Sequence, residues 1–294
     1  MRTGRVVPCI LAVVVLPVLF SPFWLCFAAD LTVKTDSSTK GYNCLFLGHS
    51  FFAPIAKSFT EHPGRCGFPN HKQTVVFHGG ENGSPGMLWN SQTKDVGQAR
   101  KLLESGTVDL LGLTCAMAGS DFSDYRRWVD LALKNNPKTR FIIQAPWAIY
   151  QNKTFAQYEA DSEKVLNRIH ELIDELRRAY PQTTFLCIPQ GRGMVGLWRL
   201  YDEGELPEVH AIKGNSAVNG SKNADKEHCL FLDDLGHGGN LPVKMGALLW
   251  LAVIYKVDLN KFQWQMNTKF DVKKLAQDIV QNDPYCGLKS KPMN

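Results

Sequence analysis

The chain has 294 residues, 44% hydrophobic and 21% charged, which is ordinary for a globular protein and long enough for one large α/β domain or two small ones. Its 33 Lys and Arg stand against 28 Asp and Glu, a formal charge of +5, and the basic residues are dispersed among acidic ones. That pattern excludes a nucleic-acid surface, and no low-complexity segment or internal repeat is present.

Arg2 and Arg5 precede an apolar run over residues 6–27 that ends in Ala28-Ala29-Asp30, the layout of a secretory signal peptide. Residues 1–29 are therefore expected to leave, with cleavage near Ala28 or Ala29. Pro8, Pro17 and Pro22 interrupt any spanning helix, so a membrane becomes a partner only where this segment is kept as an anchor. The exported remainder, 30–294, carries 31 basic against 28 acidic residues, or +3. It keeps Cys44, Cys66, Cys115, Cys187, Cys229 and Cys286, an even set compatible with disulfides whose pairing the sequence does not give. Cys44, Cys115 and Cys187 fall in strand-like runs and read equally well as buried small hydrophobes. Cys66, Cys229 and Cys286 fall in polar loops.

Five short apolar runs follow, at 43–48, 73–77, 108–114, 140–145 and 183–188, separated by stretches of helical character. Strands alternating with helices imply a parallel sheet. The clearest helix covers 155–180, with Val165, Ile169, Leu172, Ile173 and Leu176 on one stripe. Residues 243–255 are apolar on nearly every face, which predicts a buried helix too short to cross a bilayer. A C-terminal helical tail from Asp258 onward contains one more amphipathic stretch at 272–280, and no linker divides the chain into two domains. Sequons occur at Asn82, Asn152 and Asn219.

Two motifs carry chemistry. Asp234-Leu235-Gly236-His237 places a carboxylate and an imidazole on one turn, and Gly48-His49-Ser50 delivers a hydroxyl where an apolar strand gives way to a helix. A serine is a weak nucleophile until a base takes its proton and a third group orients that base. Ser50, His237 and Asp234 fit those roles in that order. Each has a plainer reading as well: Ser50 as a helix cap, Asp234 as a turn residue, His237 as a loop side chain. His62, Cys66 and His71 share one loop but lack the fourth ligand and the spacing of a structural zinc site. No metal or cofactor is expected, and Cys66 reads better as a disulfide partner.

Gly48-His49-Ser50, the glycine loop His78-Gly79-Gly80-Glu81-Asn82-Gly83-Ser84-Pro85, and Asp234-Leu235-Gly236-His237 together resemble the SGNH (GDSL-like) hydrolase superfamily. Leu88-Trp89-Asn90 and Gln144-Ala145-Pro146-Trp147-Ala148 resemble a branch whose first block reads GHSF instead of GDS. The resemblance implies a three-layer α/β/α flavodoxin-like fold around a central parallel five-stranded sheet. It also implies ester hydrolysis through an acyl-enzyme at the carboxyl ends of the strands, with oxyanion donors from Ser50 N–H and from Gly80 or its neighbour Gly79. The superfamily's third donor, an asparagine after the third strand, is missing from residues 113–121; Asn82 or Thr114 are the substitutes at hand. Trp89, Trp147 and Gln144 are candidates for the substrate pocket, while Phe51 and Phe52 read as core and His49 as packing beneath the nucleophile or lining the pocket. The expected function is an exported serine hydrolase of carboxylic esters, on carbohydrate O-acetyl groups or short-chain lipid esters. The alternative is a weak or inactive SGNH-fold protein that binds glycans.

Overall fold

The computed structural model describes residues 40–115, 121–214, 227–264 and 266–287. The expected leader 1–29, the Asn219 sequon and the lysine-rich end lie outside them.

In chain order, strand β1 (Asn43–Gly48) leads into helix α1 (Ala53–Phe59) and the single turn α2 (His62–Arg65); β2 (Lys72–Phe77) leads into α3 (Pro85–Asn90) and α4 (Lys94–Glu104). Then come β3 (Leu110–Thr114), α5 (Phe122–Asn135), β4 (Arg140–Ala145), α6 (Phe155–Ala179), β5 (Phe185–Pro189) and α7 (Gln190–Asp202). Two short strands, β6 (Ala211–Lys213) and β7 (Cys229–Phe231), precede α8 (Asn240–Tyr255), and α9 (Val272–Asn282) is followed by a last 3-10 turn at Pro284–Cys286.

The main sheet is parallel throughout, in the order β2-β1-β3-β4-β5, with Leu45 opposite Thr74 on one side and Leu111 on the other. This is the flavodoxin-like order, with the switch point between β1 and β3, where such sheets bind ligands beyond the strands' carboxyl ends. Strand alternation divides the core. Phe46 and Ile142 face α1, α7 and α8, whereas Leu45, Leu47, Phe141 and Ile143 face α4, α5 and α6. A strand covered on both faces needs apolar residues at every position, which is why β1 and β4 read as continuous hydrophobic runs.

The capping box Thr154/Gln157 fixes the start of α6, and Leu166, Ile169, Leu172, Ile173 and Leu176 bury its inner stripe. Helix α8 is buried on all sides, against α1, α7 and α9, so its lack of amphipathicity follows from its central place. Among the described residues no helix is long and apolar enough to cross a membrane.

The sequence expectations differ from the structure at a few points. β3 begins at Leu110, not 108: the Val108 carbonyl accepts from Thr139 Oγ1 and not from a neighbouring strand. β6 and β7 form a separate two-stranded parallel sheet that the sequence did not announce. Cys44, Cys66, Cys115, Cys187 and Cys286 are free thiols, all but Cys66 buried. The disulfide expected at Cys66 is absent, and the plainer reading of Cys44, Cys115 and Cys187 as small core hydrophobes describes them better.

Candidate active site

Ser50 lies in the turn between β1 and α1, where the Phe52 and Ala53 N–H groups both donate to the His49 carbonyl. His237 comes from the loop between β7 and α8. That loop is pinned at its base: Leu232 N–H donates to the His237 carbonyl at 2.7 Å, and Gly239 N–H to the Leu230 carbonyl at 2.9 Å. The two side chains meet with His237 Nε2 2.9 Å from Ser50 Oγ.

The other ring nitrogen, Nδ1, lies 2.6 Å from Asp233 Oδ2. The expected partner, Asp234, does not face His237: its carboxylate pairs with Lys213 from β6. In this turn, where Gly236 has φ +96°, the carboxylate that reaches the ring is the one four residues back, and the one three residues back is held by Lys213. Asp233 Oδ1 also accepts from the Gly236 N–H at 2.9 Å and the His237 N–H at 3.1 Å, so one carboxylate caps the turn and orients the ring. Burial opposes ionisation of Asp233, but the hydrogen bonds from the His237 ring and from these N–H groups outweigh it and hold the carboxyl below its usual range. With Asp233 ionised, Nδ1 carries the proton and Nε2 is left to accept from Ser50. Sequence reasoning missed Asp233, although the Asp233-Asp234 pair followed by a glycine left the register open.

Trp147 holds the loop from below. Its Nε1–H donates to the Gly236 carbonyl at 2.8 Å, and its ring stacks on Phe51 at 5.5 Å. Phe51 in turn meets the His237 ring edge-on at 5.1 Å, so this residue, read as plain core from the sequence, packs directly on the imidazole.

A buried polar chain runs beneath Ser50. His49 Nδ1 accepts from the Phe51 N–H at 3.2 Å, which leaves Nε2–H to donate to the Cys115 carbonyl at 3.1 Å. Thr114 Oγ1 lies 3.3 Å from His49 Nε2 and donates to Gln144 Oε1 at 2.8 Å; Gln144 Nε2 donates to Gln190 Oε1 at 3.1 Å. Burial pushes the His49 imidazole down to about 4, against the pull of its bond to the Cys115 carbonyl, so it stays neutral and is not the base. Its bonds tie the end of β1 to the end of β3 across the switch point.

The same chain corrects two expectations. Thr114 is fully buried with its proton committed to Gln144, so it offers no oxyanion donor, and Gln144 is equally buried and borders neither cavity at Ser50. Trp89 is also elsewhere: it packs edge-on against Trp128 at 4.9 Å, under the Arg100 guanidinium. Trp147 alone of the three does line a cleft at Ser50.

Two cavities share Ser50 and His237. The smaller, about 340 Å³, is bordered by Gly79, Gly80, Phe51, Ile149 and Leu235. Gly80 has φ +56°, a conformation that suits glycine and opens the glycine loop to this space. Asn82 borders a different hollow, with His78, Met87, Asn90 and Thr93, and not the one at Ser50. Gly83 packs the loop against the elbow so closely that a Cβ there would lie 2.4 Å from the Gly48 carbonyl oxygen. The larger cavity, about 910 Å³, extends from Ser50 between α1, β2 and α8. Phe77 and Leu235, one at the edge of each, are more than half exposed. The residues that follow Cys115, where a third donor would come from, fall outside those described. Among the described residues no cluster of His, Cys, Asp or Glu could hold a metal ion, and His62, Cys66 and His71 do not converge. His62 instead packs against Trp264, while His71 bonds to Tyr255 and Gln73.

A hydroxyl, an imidazole and a carboxylate in this order can pass the serine proton to Nε2 while the carboxylate stabilises the imidazolium. Comparison with known proteins adds the fold and no more. No protein family matches the chain by sequence, and no curated protein does. A DUF4886 family protein from Bacteroides uniformis superposes with a TM-score of 0.53 at 12% identity, covering 83% of this chain and 96% of that one. The lipopolysaccharide acetyltransferase periplasmic domain of Salmonella ser. Paratyphi A superposes with a TM-score of 0.41 at 11% identity, covering 74% and 84%. The chain is thus similar in fold to the first.

Proposed function

We propose that the protein is an exported serine esterase of SGNH type, in which Ser50 is the nucleophile, His237 the base and Asp233 the group that orients it. The observation that carries the reading is the continuous contact Ser50 Oγ, His237 Nε2, His237 Nδ1, Asp233 Oδ2, at 2.9 and 2.6 Å, beside two open cavities.

Ser50 Oγ attacks the ester carbonyl carbon as its proton moves to His237 Nε2. The carbonyl oxygen becomes an oxyanion, held by the Ser50 N–H and by Gly80 N–H or Gly79 N–H from the glycine loop. The carbon–oxygen bond to the alcohol then breaks and the departing oxygen takes the proton from Nε2, leaving an acyl group on Ser50. A water activated by the same imidazole releases the acid and restores the hydroxyl. No step calls for a metal or organic cofactor. The sequons Asn82 and Asn152 accept a glycan only in a host that glycosylates exported chains, and one at Asn82 would crowd the glycine loop.

Turnover of p-nitrophenyl acetate tests the reading. Wild type should hydrolyse it, with Ser50→Ala and His237→Ala reduced to background. Turnover that survives both substitutions refutes the assignment. Glycan binding without Ser50-dependent turnover would favour the inactive SGNH-fold binder instead.

A further inference from the structure

We infer that the larger cleft receives the acyl half of the ester, and that this half is an unbranched apolar chain of medium length with an anionic end group that reaches Lys57; the inference rests on the esterase reading above. An acetyl group would leave nearly all of a 910 Å³ cleft empty. The walls are set by three elements. Ala53, Pro54 and Lys57 follow Ser50 at helical spacing along one face of α1. Val75 and Phe77, with Gln73, are alternate residues of β2 and share one face of that edge strand. Val243 of α8 and Trp147 complete the apolar end beside Ser50.

The far end is polar, and its groups are not equally free. Gln73 donates to the Ala56 carbonyl at 2.7 Å and accepts from His71 at 3.0 Å, and Thr60 Oγ1 donates to the same Ala56 carbonyl at 3.3 Å. Lys57 is exposed, and among the described residues its ammonium has no ion pair or hydrogen bond and no Asp or Glu lines the cleft. A cation without a counterion, at the end of an apolar groove that starts at a nucleophile, complements an anion carried at a fixed distance from the ester. Seven residues separate Ser50 from Lys57, the last five of them in α1, and at helical rise they advance roughly 10 Å. An extended chain covers about 1.2 Å per bond, so roughly eight bonds separate the two ends, which an octanedioyl half-ester matches.

The experiment compares p-nitrophenyl acetate, butyrate and octanoate with the mono-p-nitrophenyl ester of octanedioic acid, in wild type, Lys57→Met and Val75→Trp. Each methylene fully removed from water contributes about fourfold, and a groove open on one side about half of that logarithmically. The octanoate-to-acetate ratio of kcat/KM should therefore be on the order of fiftyfold in wild type. Val75→Trp should reduce that ratio at least tenfold, and Lys57→Met should lower the half-ester-to-octanoate ratio about threefold, as expected of an exposed ion pair. Thermal denaturation of each variant establishes that it is folded. Ser50-dependent acetate turnover with no gain from longer acyl chains overturns the groove and leaves the esterase reading standing. A half-ester preference that Lys57→Met does not reduce overturns the anion site. Absence of Ser50-dependent turnover on every ester overturns both.

Discussion

Replacing Asp233 by Asn, with Asp234→Asn as its partner experiment, separates two adjacent carboxylates that the sequence alone could not rank. Asp233 Oδ2 lies 2.6 Å from His237 Nδ1, which puts the centres of carboxylate and imidazolium about 4 Å apart. At an effective dielectric of about 20 that is worth about 4 kcal/mol. The Asp233 side chain is 40% exposed, so solvent screening reduces the figure to about 2 kcal/mol. Loss of that term raises the barrier enough to slow the reaction about thirtyfold. An amide adds a second penalty, because its NH2 can donate to Nδ1 and select the tautomer with a proton on Nε2, which cannot accept from Ser50; in a fully buried triad the combined loss reaches about ten-thousandfold. For this half-open site, Asp233→Asn should cut kcat/KM on p-nitrophenyl acetate by about a hundred- to a thousandfold. Asp234, whose carboxylate lies on the surface against Lys213, should lose less than about threefold. A large loss in Asp234→Asn with near-normal Asp233→Asn would refute the assignment of the orienting carboxylate.

Other expectations follow from the same contacts. Gly83→Ala forces a methyl into the Gly48 carbonyl, and should cost about 1 to 3 kcal/mol of stability in urea denaturation while lowering esterase activity, because the displaced loop carries Gly79 and Gly80. Trp147→Phe leaves the Gly236 carbonyl without its donor, and should destabilise by about 1 to 3 kcal/mol and lower kcat through a looser His237 loop. His49, held at about 4 by burial, stays neutral in the fold where the unfolded chain takes up a proton near pH 6.5. Its contribution is therefore complete above about pH 6.5 and is lost as pH falls towards 4, by up to about 3 kcal/mol. His49→Gln should flatten the fall in urea midpoint between pH 7 and 4.5, and an unchanged slope would contradict that role.

The fold was legible because its strands are buried on both faces: runs such as Cys44-Leu45-Phe46-Leu47 admit few other readings, and their alternation with helices settles the parallel order. β6 and β7 escaped because three residues carry too little periodicity. The meeting of Ser50 with His237 was legible because glycine-punctuated turns isolate both residues. The carboxylate at His237 Nδ1 was not, since Asp233 and Asp234 both lie near enough in sequence and only the folded turn shows which one reaches the ring. Nearness to a motif also misled. Gln144 and Thr114 end strands beside the site, but their side chains lie in the polar chain beneath it, and Trp89 belongs to the packing of α3 on α5.

The central claim is that the hydroxyl at position 50 is activated by its neighbours. It is tested most directly by treating the protein with a fluorophosphonate and locating the adduct by peptide mass spectrometry. The account predicts a single stoichiometric adduct on Ser50, absent in Ser50→Ala and strongly slowed in His237→Ala. An unmodified Ser50 in folded wild type, or labelling that is indifferent to His237, would contradict it.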